Sequence, residues 1–124
     1  MRLLLDTHVV LWWLTDDPTL ADEIKDLIDD EPEVYVSPAT VWELAIKQSL
    51  GKLPGPVDVA EQVRKAELRE LPIRHAHAMA AAGLPPIHRD PFDRMLVAQA
   101  LCEGLTLVTR DGHIRKYEVQ ILVA

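Results

Sequence analysis

Four short, almost wholly apolar runs recur along the chain, at Arg2-Leu3-Leu4-Leu5, Val34-Tyr35-Val36, Leu105-Thr106-Leu107-Val108-Thr109 and Val119–Val123, and stretches of helical spacing separate them. This pattern constrains the fold more than any other feature. A strand with one face in water alternates apolar and polar residues, whereas these runs lack that alternation, as expected of strands buried on both faces of a parallel sheet. Parallel neighbours need crossover connections, so the alternation of strand and helix predicts a three-layer α/β domain with a mainly parallel central sheet. A further strand is expected within Leu68–Ile73, cut short by Pro72.

At 124 residues and 48% hydrophobic content, the chain can bury one core and is too short for two ordinary domains, so one domain over residues 1–124 is expected. No apolar run approaches the roughly 20 residues that span a bilayer, and the N-terminus lacks a signal-peptide layout. A cytoplasmic location without membrane attachment follows as the expectation. The single cysteine, Cys102, falls among apolar neighbours of a helix and is read as structural. A net charge of −7 argues against binding nucleic acid through a general basic surface. It does not exclude a nuclease, since a cluster of carboxylates is acidic when empty and bound cations reverse its local sign.

The helices carry recognisable starts and stops. Thr7 is expected to cap a helix holding Val9, Val10, Leu11, Trp12, Trp13 and Leu14; residues 16–33 read as an amphipathic surface helix with an acidic solvated face. Ser37-Pro38 opens another, with Ser as cap and Pro in the first turn, and Glu43 falls about two turns in, spaced i to i+4 from Lys47. Gly51-Lys52-Leu53-Pro54-Gly55-Pro56 reads as a loop, and a helix is expected from about Val57 to Ala66. His75 and His77, two apart on a helix, point in different directions and are read as surface residues, not a metal pair. Pro91 suits the first turn of a helix carrying Asp93 near its N-terminus, where the dipole favours a carboxylate, and Gly104 ends it.

Acids stand at the ends of these elements. Asp6 closes the first strand and Asp111 follows the run ending at Thr109, and in open α/β sheets ligands collect beyond the carboxyl ends of strands. Asp93 and Glu43 can join them on the same edge. Four carboxylates so placed repel strongly unless cations neutralise them, and hard oxygen ligands without a Cys or structured His set select Mg²⁺ or Mn²⁺. The matching chemistry is phosphodiester hydrolysis by in-line displacement. A phosphoacceptor receiver domain, also α/β, acidic and Mg²⁺-binding, fits poorly, because Thr109-Arg110 stands where it requires a Lys and Asp58 follows a Pro-Gly-Pro loop. A non-catalytic module with a vestigial site is disfavoured by the intact set of acids.

The segments Leu4-Leu5-Asp6-Thr7-His8, Trp42-Glu43-Leu44-Ala45-Ile46-Lys47, His88-Arg89-Asp90-Pro91-Phe92-Asp93-Arg94 and Val108-Thr109-Arg110-Asp111 resemble, in order and spacing, the PIN-domain ribonucleases, and most closely the VapC toxins of type II toxin–antitoxin pairs. The resemblance covers almost the whole chain. It implies that Asp6, Glu43, Asp93 and Asp111 are the catalytic, metal-binding acids, that Asp90 caps a helix or supports the ligands, and that Thr109 orients a ligand or water. It also implies an RNA substrate, a homodimer and a cognate VapB-like antitoxin, for which Trp12, Trp13, Leu14, Leu44, Ile46 and Leu50 supply apolar surface.

Overall fold

A computed structural model describes residues 1–53 and 58–124. The predicted loop at Pro54-Gly55-Pro56 and the predicted helix start at Val57 lie outside the described residues. The elements run β1 (Arg2–Leu5), α1 (Thr7–Leu14), α2 (Asp22–Asp30), β2 (Glu33–Val36), α3 (Pro38–Ser49), α4 (Val59–Lys65), β3 (Arg69–Glu70), α5 (His75–Gly83), α6 (Pro91–Glu103), β4 (Thr106–Thr109), a 3₁₀ turn (Ile114–Lys116) and β5 (Ile121–Val123). The five strands among the described residues pair in parallel throughout, in the order β3-β2-β1-β4-β5. The expected α/β sheet is therefore present.

The central place of β1 explains its composition. Leu3, Leu4 and Leu5 have no exposed surface, because each side chain meets a helical layer whichever way it points. Leu3 and Leu5 pack with Val9, Val10, Ile28, Val34 and Leu44 on one face, while Leu4 joins Leu96, Val97, Ala100, Leu107 and Tyr117 on the other. Helices α1 to α4 thus cover one face and α6 the second.

The chain leaves β1 for β2 and β3 on one side and returns to β4 and β5 on the other, so the order reverses between β1 and β4. Such a reversal opens a crevice at the strands' carboxyl ends. Asp6 and Thr109 both lie at that edge, and the Asp6 N–H donates to Val108 O at 3.1 Å.

Several boundaries differ from the sequence reading. The 16–33 helix shrinks to Asp22–Asp30, with Leu20 buried in the turn before it, and the 68–73 strand forms only over Arg69–Glu70. Thr7 does not cap α1. That role falls to Asp6, whose Oδ1 accepts the Val9 N–H at 2.9 Å, while the buried Thr7 hydroxyl meets that of Thr40 at 3.1 Å.

His77 is not a surface residue. It is 1% exposed, and its Nδ1 accepts the Arg74 N–H at 2.9 Å, satisfying a donor at the start of α5. Cys102, expected among apolar neighbours, is exposed, since that part of α6 turns Cys102 outward. Of the apolar residues assigned to partners, Leu44 is core, and Trp12, Trp13 and Leu14 pack half-buried against it. Leu50 alone of the six is exposed, at 63%. No helix among the described residues is long and apolar enough to cross a membrane.

Candidate active site

Asp6 is 3% exposed and doubly held: beside the Val9 contact, its Oδ2 accepts the Thr109 hydroxyl. Burial pushes its carboxyl above the usual range, and the negative charge of Asp111 adds to this, while the Thr109 hydroxyl and Val9 amide pull it back. Thr109 in turn receives the Asp111 N–H at 3.1 Å. A buried relay therefore links the ends of β1 and β4. Asp111 Oδ1 accepts the N–H groups of His113 at 2.7 Å and Ile114 at 3.1 Å, which starts the 3₁₀ turn.

The second group of acids gathers at the start of α6. Pro91 occupies its first turn, and Asp90 Oδ1 accepts the Phe92 and Asp93 N–H groups at 2.8 and 3.3 Å, making Asp90 the helix cap. Gly104 ends the helix in the left-handed region, φ 66°, as its position after the last apolar residues suggests. Asp93 lies half-buried beside Asp90. Burial, with the charges of Asp90 and Glu43, raises its carboxyl to about 6, against the opposing hydrogen bond from His88. That bond joins His88 Nε2 to Asp93 Oδ2 at 2.8 Å.

Glu43 approaches from α3. Its Oε2 lies 3.5 Å from Lys47 Nζ, so the i to i+4 pair forms, yet Oε1 is buried without a hydrogen-bond partner among the described residues. A buried carboxylate oxygen left so is costly unless a cation meets it. Its neighbour Trp42 is 65% exposed and sets its ring edge-on to Phe92 at 5.2 Å.

The four predicted acids thus fall into two groups, the charge of Asp111 acting on Asp6 and that of Glu43 on Asp93. The group whose ligand atoms all fall within 4.8 Å of one another among the described residues is His88, Asp90 and Asp93. His88 received no role from the sequence, because it stands on an irregular loop where no periodicity marks it. Its ring stacks on His113 at 5.0 Å and 22°, bridging the α6 group to the segment after β4.

Arg94 and Tyr117 also went unassigned. The Arg94 guanidinium donates to the carbonyls of Ala81, Leu84, Pro85 and His88 and to the Tyr117 hydroxyl, at 2.7 to 3.3 Å. Tyr117 donates to Pro85 O at 2.9 Å and accepts the His88 N–H at 2.9 Å. One forked cation thus fixes the loop that carries His88. An Arg directly after the Asp93 of a buried helix is the signal that was available.

A parallel sheet whose order reverses between β1 and β4, with Asp6 and Asp111 beyond those two strands and Glu43 and Asp93 on helices α3 and α6, makes this an α/β protein with two acidic groups. Residues 3–120 match the family model described as PIN domain, and the chain belongs to that family. Within it the chain is 31% identical over 118 residues to Ribonuclease VapC22 of Mycobacterium tuberculosis (strain ATCC 25618 / H37Rv), covering 93% of this chain and 91% of the relative. The same fold occurs in VapBC2 from Rickettsia felis bound to a DNA fragment from its promoter, with TM-score 0.68, 15% identity and 98% of both chains covered. It occurs again in DNA-bound VapBC from Salmonella typhimurium, with TM-score 0.70, 17% identity and coverage of 98% and 97%.

Proposed function

We propose that this chain, acting as one nuclease domain over residues 1–124, is a divalent-metal-dependent endoribonuclease. It serves as the toxin of a VapBC-type pair and is held inactive by a cognate VapB-like antitoxin in the cytoplasm. The observation that carries the chemistry is the orphaned, buried Oε1 of Glu43 beside Asp93, whose own charge burial disfavours. An all-oxygen donor set of this kind fits Mg²⁺ or Mn²⁺. Asp6, Glu43, Asp93 and Asp111 would hold the metal, with Asp90 and Thr109 in support. A divalent cation bound there supplies an activated water and offsets charge on the scissile phosphate.

The protein's own contribution is orientation. Thr109 and the Val9 amide fix both oxygens of Asp6, and His88 fixes Oδ2 of Asp93. The relatives' naming as a ribonuclease and as VapBC assemblies supports the RNA substrate and the antitoxin. Cleavage of a labelled RNA that stops with EDTA and returns with Mg²⁺ or Mn²⁺ is the expected result; cleavage undiminished in chelator would refute the reading.

A further inference from the structure

An open groove of about 420 Å³ lies between α3 and the start of α6, with Glu43 and Asp90 among the residues that line it. Lys47, Lys52 and Arg89 line it, with the apolar surface of Ile46, Leu50 and Phe92. In a chain of net charge −7 this is an unusual gathering of cations. Neither Lys52 nor Arg89 makes an ion pair among the described residues, and both side chains are exposed. The acidic excess lies elsewhere, notably on α2, where Asp22, Glu23, Asp26, Asp29 and Asp30 are all exposed.

Next to the groove stands the Trp42 ring, 65% exposed and braced edge-on by Phe92 at 5.2 Å, one residue before Glu43 in the chain. An indole left in water costs hydration free energy unless something stacks on it. Cations spaced along a groove with an aromatic face at its margin form the arrangement that grips a single strand, phosphates on the charges and an unpaired base on the ring.

We infer that this groove is the path of the RNA substrate: a single-stranded segment lies across it, with phosphates on Lys47, Lys52 and Arg89 and an unstacked base on Trp42, feeding the next phosphodiester to the acids. The inference rests on the ribonuclease reading and names the side chains outside the acids that hold the substrate. A second copy of the chain is a poorer occupant. A two-fold contact sets a patch against itself, bringing the three cations of one copy toward those of the other.

The test measures binding of a short fluorescein-labelled single-stranded oligoribonucleotide by anisotropy, with Ca²⁺ in place of Mg²⁺ and RNA integrity checked on a gel. Trp42→Ala is expected to weaken binding about tenfold and to abolish the quenching of tryptophan emission that RNA causes. Lys52→Glu with Arg89→Glu should lower the slope of log Kd against log salt by about 1.4, or about 0.7 for each phosphate no longer neutralised. All these positions are exposed, so circular dichroism should match the parent, and the same RNA in duplex form should bind more weakly than the single strand. Unchanged affinity and slope in these variants would overturn the inference, leaving the nuclease reading intact if the parent still cuts RNA with Mg²⁺. Sedimentation showing that Trp42→Ala dissolves a dimer whose monomers bind RNA as before would also overturn it, assigning the face to a second copy. Loss of RNA binding as expected in a parent that never cuts RNA would uphold the groove and refute the nuclease.

Discussion

Replacing Asp93 by Asn should stabilise the metal-free protein at pH 8 while abolishing cleavage. The carboxyl stands at about 6 in the folded chain against 3.8 in its absence, a difference of about 2.2 pH units. At about 1.36 kcal/mol per unit, this is roughly 3 kcal/mol of ionisation cost, and partial access to solvent reduces it to about 1 to 2 kcal/mol. The sign is fixed by linkage. Below pH 3.8 the acid is protonated folded and unfolded, and nothing is lost. Between 3.8 and about 6 the unfolded chain releases its proton while the folded chain keeps it, so stability falls as pH rises, and above 6 the full cost remains. Asn has nearly the same volume, and its side-chain oxygen can accept from His88 without the charge. Thermal melts in EDTA should therefore place the variant about 4 to 8 °C above the parent at pH 8 and level with it near pH 3.5. Adding Mg²⁺ should raise the melting temperature of the parent much more than that of the variant. A variant that melts lower at pH 8, or gains equally at both pH values, would refute the account of Asp93 as a buried charge awaiting a cation.

Asp6→Asn keeps an acceptor for the Val9 amide, so the fold should survive while cleavage of a labelled RNA falls at least about a hundredfold. Asp90→Asn should lose less activity and under about 0.5 kcal/mol of stability in denaturant melts, because Asn caps a helix as well as Asp does. Arg94→Lys cannot serve five acceptors in one plane. It should cost about 2 kcal/mol and speed amide hydrogen exchange in residues 84–90, and unchanged exchange there would show that the loop does not depend on the fork.

The local rules of the chain, read alone, determined the elements and their order. Non-alternating runs such as Leu3-Leu4-Leu5 had to be strands buried on both sides, Pro91 and Gly104 had to bracket a helix, and acids after strand ends had to gather at one edge. Boundaries slipped where local signals were weak, as in residues 16–21, where Leu20 turns inward from a loop instead of extending the helix. Tertiary structure decided which residues distant in sequence came to touch. Placing β4 beside β1 brought Thr109 to Asp6, 103 residues away. The packing of α5 against α6 buried His77 and left Cys102 outside. The folding back of the loop before α6 placed His88 on Asp93 and gave Arg94 its acceptors. The physical reason is range: periodicity and capping act over a few residues, whereas the crossovers that order a parallel sheet are set by the joint burial of all its layers.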